Sequence, residues 1–218
     1  MTVRLANSVF VHVPRTGGMW LREVARSLGL DRQILHGDLD SHLAYQDLPK
    51  EWDVHRLKPF SFIRHPMLWA RSRWTHAMEL QVHTNGRHFG IHGVFDRCVR
   101  MTFAATLRCI LRNEPGLVSR TFLHMTRGIP EENLICTIDL PDAAHRLLVR
   151  LEGVQQAHLA TVRDVKKTNS TATHEQWLTN LQEVPPGLVS EFLDSEKELL
   201  DLWASRLNDP SKAKAGVP

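Results

Sequence analysis

Apolar residues in this chain come in short runs separated by polar, glycine-marked turns, and the runs alternate between strand and helix periods. Val9 to Val13 is a β-like run that meets the turn Pro14-Arg15-Thr16-Gly17-Gly18. Helical spacing follows from Met19 to Leu28, with Gly29 as its stop. Gln33 to His36 reads as a short strand, and Asp38 to Trp52 as a polar connection with one short helical turn. Phe60 to Ile63 is a second β-like run, ended by Arg64 and followed by a helix that Pro66 opens. The pattern then predicts a long amphipathic helix over Val94 to Arg112, with Val94, Cys98, Met101, Ala105, Leu107 and Ile110 on its apolar side. Pro115 and Gly116 break it, and Val118 to Met125 resumes as a helix. Asn133 to Ile138 reads as a buried strand and Ala143 to Leu151 as the helix after it. Val154 to Thr173 reads as irregular, His174 to Leu181 as helical, and Leu188 to Leu207 as one terminal helix after the Pro185-Pro186 break. Pro210 to Pro218 is a polar, small-residue tail expected to be disordered. No internal repeat is visible.

Strands separated by helices imply an α/β fold, a mainly parallel sheet flanked by helices with right-handed crossovers. At 218 residues, one domain over 1–208 with a tail over 209–218 is the expectation. Ligands of such sheets sit at the C-terminal strand edge. Arg15 and Arg64 both fall just after strands, so both are expected on that edge.

The chemistry of those two segments points to an anion. A strand, a glycine turn and a helix start form a cradle: the backbone can approach closely, and the first helical N–H groups carry partial positive charge. Arg15 adds a planar, permanently charged fork suited to phosphate or sulfate oxygens. Arg64 is placed to bind a second anion from its strand end. Ser72, eight residues later, falls about two turns along the helix and can add a hydroxyl.

Charge and cysteine content narrow the class. The net charge is +3, from 27 basic and 24 acidic residues, which argues against a general nucleic-acid binder. Lys58, Arg64, Arg71 and Arg73 do cluster; an anionic ligand accounts for part of this, and a solvated helix face for the rest. Cys98, Cys109 and Cys136 have no metal-type spacing and read as free thiols in a reducing compartment. No signal pattern opens the chain and no run approaches a membrane span, so a cytoplasmic protein is expected.

Two motifs in the right order carry a family resemblance. Pro14-Arg15-Thr16-Gly17-Gly18-Met19-Trp20-Leu21 resembles the 5'-phosphosulfate loop of sulfotransferases that use 3'-phosphoadenosine 5'-phosphosulfate (PAPS), and Phe62-Ile63-Arg64-His65-Pro66 with Ser72 resembles their 3'-phosphate motif. Pro115-Gly116 with Ser119-Arg120, and Lys167 to Thr171, are looser echoes of bacterial members. The resemblance implies a P-loop-like sulfotransferase fold. It implies transfer of a sulfuryl group to a hydroxyl, with an amine second, on a small-molecule or saccharide acceptor, and no metal. Arg15, Thr16, Gly17, Gly18, Met19 and Trp20 would hold the donor's 5' end; Arg64 and Ser72 would hold its 3'-phosphate. Arg15 would also stabilise the charge developing on the bridging oxygen.

For the base that accepts the acceptor's proton, histidine suits neutral pH. His42, a few residues before Leu48-Pro49, resembles the family histidine that faces the acceptor; His36 is the second choice, with Asp38 and Asp40 nearby. His83, His88 and His92 lie in a glycine-rich stretch that suits a mobile acceptor loop better than a zinc site. The chain departs from the family pattern in three places. Arg15 stands for the usual lysine. Met19 stands where a hydroxyl is usual. Cys136 to Leu140 lacks the charges common there. The last two departures support a rival class, a nucleotide-binding protein without turnover. A kinase-like phosphoryl transferase is a third reading, opposed by the absence of a GxxxxGK[ST] loop.

Overall fold

The computed structural model describes residues 2–30, 33–35, 42–84, 101–165 and 183–208. Among these, five strands form one sheet: β1 (Thr2–Arg4), β2 (Ser8–Val11), β3 (Gln33–Leu35), β4 (Lys58–Ile63) and β5 (Leu134–Cys136). Their order is β3-β1-β2-β4-β5. β2, β4 and β5 run parallel, while β1 is antiparallel to both β2 and β3. The chain is α/β, with the expected parallel pairing at the strands that lead into Arg15 and Arg64. The antiparallel side is an addition, because a three-residue strand such as β1 shows too little alternation to be read from sequence.

Among the described residues the helices are α1 (Gly18–Ser27), α2 (Pro66–Thr84), α3 (Phe103–Asn113), α4 (Leu117–Thr126), α5 (Leu140–Glu152), α6 (Leu159–Asp164), α7 (Pro186–Ser195) and α8 (Lys197–Leu207). Five sequence expectations are corrected. The amphipathic helix starts only at Phe103, because the Thr102 hydroxyl accepts the Ala105 N–H at 3.3 Å and caps it there. Met101, expected on its apolar side, is exposed. The strand expected to reach Ile138 ends at Cys136 and passes into a 3₁₀ turn over Thr137–Asp139. The stretch expected to be irregular contains α6, whose Val162 is fully buried. The single terminal helix is two, α7 and α8, separated at Glu196. Residues 94–100, the helix expected over His174 to Leu181, the Lys167 to Thr171 segment and the tail lie outside the described residues.

The chain divides into two compact units. The first holds the sheet with α1, α5 and α6; the second holds α2, α3, the start of α4 and α7. In the first, the strand register puts Phe10 beside Phe60 and Phe62 beside Ile135. These residues share one sheet face with Trp20, Leu21, Val24 and Ala25 of α1 and Leu140, Leu147 and Leu148 of α5. Val9, Val11 and Ile63, on the alternate positions, are buried as well. Burial on both faces is what a parallel centre requires, and it explains why these strands read as continuous apolar runs.

In the second unit, Glu196 is fully buried. Its carboxylate accepts the N–H of Val118 at 3.1 Å and of Ser119 at 2.7 Å, which caps the start of α4. The Ser119 hydroxyl in turn accepts the Leu199 N–H at 3.3 Å. Arg71 and Arg73 are buried too, which corrects the expectation of a solvated helix face. The Arg71 guanidinium lies 4.6 Å from the Trp74 ring centre and 4.9 Å from that of Phe103, where cation–π attraction offsets part of its desolvation.

Candidate anion-binding site

Parallel pairing of β2 with β4, Val11 opposite Ser61, makes the glycine turn and Arg64 leave the sheet from the same edge. They meet there: Arg64 Nη1 donates to the Arg15 carbonyl at 2.9 Å. Arg15 has φ 65°, a left-handed conformation that costs a side-chain-bearing residue energy and persists only when its surroundings enforce it. The bond from Arg64 is one such restraint. Burial, and after it the charge of Arg15, lower the Arg64 guanidinium to about 10. Both causes disfavour the cation, and an anion beside it would relieve them.

The turn itself is tied down locally. Thr16 is buried and its Oγ1 donates to the Val13 carbonyl at 2.6 Å. That hydroxyl closes the turn, so Thr16 has only its backbone N–H left to donate. Gly17 is the residue before α1 and has φ 98°, a conformation suited to glycine. The α1 start carries no side-chain cap and no acidic residue in its first turn. The N–H of Leu21 bonds the Gly17 carbonyl at 3.0 Å, which leaves those of Gly18, Met19 and Trp20 outside the helix ladder.

The next two residues play different parts. Met19 is 43 % exposed, so only its backbone can serve an anion at this helix start. Trp20 is a core residue; its Nε1 donates to the Val165 carbonyl at 3.1 Å and holds α1 to the end of α6.

One residue at this site was not read from the sequence. His12 follows β2 directly, and its ring lies 5.0 Å from that of His42. It also covers Gly18: a Cβ on that glycine would come within 2.4 Å of His12 Cδ2. Nδ1 of His12 is buried without a hydrogen-bond partner. Burial first, then the charge of His42, hold the His12 imidazole well below its ordinary value, with Arg15 adding to the effect. The sequence signal that could have found it is a titratable residue inside the apolar run VFVHV.

The remaining site residues are distributed as follows. His42 joins the loop through His12. Ser72 is buried on α2, in the second unit. His65, in that same unit, accepts the Trp69 N–H on its carbonyl at 3.0 Å and so starts α2; burial lowers its imidazole. Ser119, in the Pro115-Gly116 echo, is engaged by Glu196 and Leu199. His36, Asp38, Asp40, His88 and His92 lie outside the described residues, and His83 is described only as part of α2. Among the described residues, Cys109 and Cys136 are free thiols, and no helix is long and apolar enough to cross a membrane. No protein family, curated protein or solved structure matches this chain.

Proposed function

We propose that the protein is a cytoplasmic sulfotransferase. It moves a sulfuryl group from 3'-phosphoadenosine 5'-phosphosulfate to a hydroxyl and releases adenosine 3',5'-bisphosphate. The observation that carries this reading is the 2.9 Å bond from Arg64 to the Arg15 carbonyl. It joins, at the start of α1, the two segments whose resemblance assigns them to the two ends of one nucleotide. In this reading the backbone N–H groups of α1 and Arg15 hold the 5' end. Arg15 neutralises negative charge as it develops on the bridging oxygen. Arg64 holds the 3'-phosphate, a part the resemblance also gives to Ser72. His42 takes the proton from the acceptor hydroxyl as the oxygen attacks sulfur. By analogy with phosphoryl transfer, positioning and charge neutralisation do most of the work.

A second reading is a protein that binds the nucleotide without turning it over. It is favoured by one local feature: the Thr16 hydroxyl is committed to Val13 and Met19 offers none, so the loop supplies the anion no free side-chain hydroxyl proton. Calorimetry with adenosine 3',5'-bisphosphate, adenosine 5'-monophosphate and magnesium ATP tests both readings. Micromolar binding selective for the 3'-phosphate is expected. Preference for magnesium ATP would replace the reading with the kinase-like one. Sulfuryl transfer from radiolabelled donor to a panel of alcohols, phenols and sugars then separates enzyme from binder.

A further inference from the structure

The loop's two glycines have different reasons to be glycine. Gly17 needs its backbone conformation, at φ 98°. No left-handed φ is found at Gly18, the first residue of α1. What a side chain would meet at Gly18 is His12: a Cβ would lie 2.4 Å from Cδ2, 2.5 Å from Nε2 and 2.7 Å from Cγ. Real Cβ atoms do not approach this closely, so any larger residue must push the imidazole away. That imidazole has little room to move. Phe10 is 5.9 Å away on one contact and His42 5.0 Å away on another. Phe10 is fully buried in the core that α1 closes.

We propose that His12 is a positioning residue of the anion site: its ring occupies the space above Gly18 and holds His42 in register with the loop. This rests on the anion-site reading above and adds a coupling to it. The backbone that would receive the anion and the histidine that would take the proton are set by one side chain, so shifting either shifts the other. Burial above all keeps His12 neutral, and the same neighbours add to it. It sits at the positive end of α1, with Arg15 and His42 near enough to oppose its protonation. A neutral ring is held at this half-buried position more cheaply than a charged one.

A double-mutant cycle tests this directly. Gly18→Ala, His12→Ala and the double variant are compared by calorimetry with adenosine 3',5'-bisphosphate and with inorganic sulfate. The His42 imidazole is followed by nuclear magnetic resonance in the absence of ligand. Gly18→Ala is expected to weaken anion binding about tenfold and to shift the His42 resonances. His12→Ala shifts those resonances too. In the double variant Gly18→Ala adds no further loss, because its collision partner is gone. Additive losses would mean that Gly18 is bare for the anion's sake, and the proposal fails. Unmoved His42 resonances in both single variants also overturn it, whether or not any anion binds. Absence of binding by the wild type with a shifted His42 would remove the nucleotide reading and keep the His12 link. If His12→Ala does not fold, the wild type decides: a ring-to-ring Overhauser effect between His12 and His42 supports the contact, and its absence overturns it.

Discussion

Two helix starts in this molecule solve the same electrostatic problem in opposite ways. At α4, the orphan N–H groups of Val118 and Ser119 receive a carboxylate from Glu196, a residue 78 and 77 positions further along the chain. The anion is built in, buried and fully engaged. At α1 there is no side-chain cap and no first-turn acid, and the neighbours are two arginines in contact through Arg15's carbonyl. Helix starts attract negative charge in both cases. Where the chain supplies that charge, the result is a structural joint. Where it gathers cations around the same kind of helix end, the proposed function leaves the charge to a ligand.

The two starts should therefore fail differently when broken. Arg15→Gly keeps the left-handed backbone without the guanidinium, so stability should change by less than about 1 kcal/mol while sulfuryl transfer is abolished. Near-normal turnover in that variant would take Arg15 out of the mechanism. His42→Ala should lower turnover by about 100-fold or more with little change in nucleotide affinity. An inactive His36→Ala beside an active His42→Ala would move the base to His36.

At the other helix start the effect should be on stability alone. Glu196→Ala leaves two buried N–H groups without an acceptor, and urea denaturation should show a loss of about 2–3 kcal/mol. Arg64→Ala should weaken nucleotide binding by about 1.5–3 kcal/mol. Unchanged affinity in calorimetry would mean that the 3'-phosphate is held elsewhere.

The smallest expected effect is a pH dependence. Burial raises the Glu196 carboxyl above its ordinary value of 4.5, against the opposing hydrogen bonds from Ser119 and Val118. The folded state then holds this proton more tightly than the unfolded chain does. Its contribution is complete below 4.5 and is lost as pH rises through the raised value. Glu196→Gln should flatten that part of the stability profile in denaturation series at stepped pH. An unchanged slope would assign the dependence to another group.

What was legible in the sequence had a local cause. The β2 run, the glycine turn, α1 with its Gly29 stop and the Pro66 start of α2 follow from period, backbone freedom and proline's fixed φ, and all recur in the structure. Misreadings arose where distant groups intervene. Leu188 to Leu207 has helical period throughout, and no local rule reveals that Glu196 is drawn inward by the N–H groups of another helix. Arg71 and Arg73 read as surface charge because the aromatic rings beside Arg71 include Phe103, on a different helix. His12 stands out in VFVHV only as a titratable residue in an apolar run, which does not say what it faces. Its meaning comes from Gly18 and His42, which the fold brings to it.

The sequence by itself determined the alternation of strands and helices, and which residue types end the strands. Periodicity and turn chemistry are properties of neighbours in the chain. Only the tertiary structure decided which charges would be buried, which helix start would receive an internal carboxylate and which would face arginines. Those outcomes depend on long-range burial and on which groups satisfy one another across the fold.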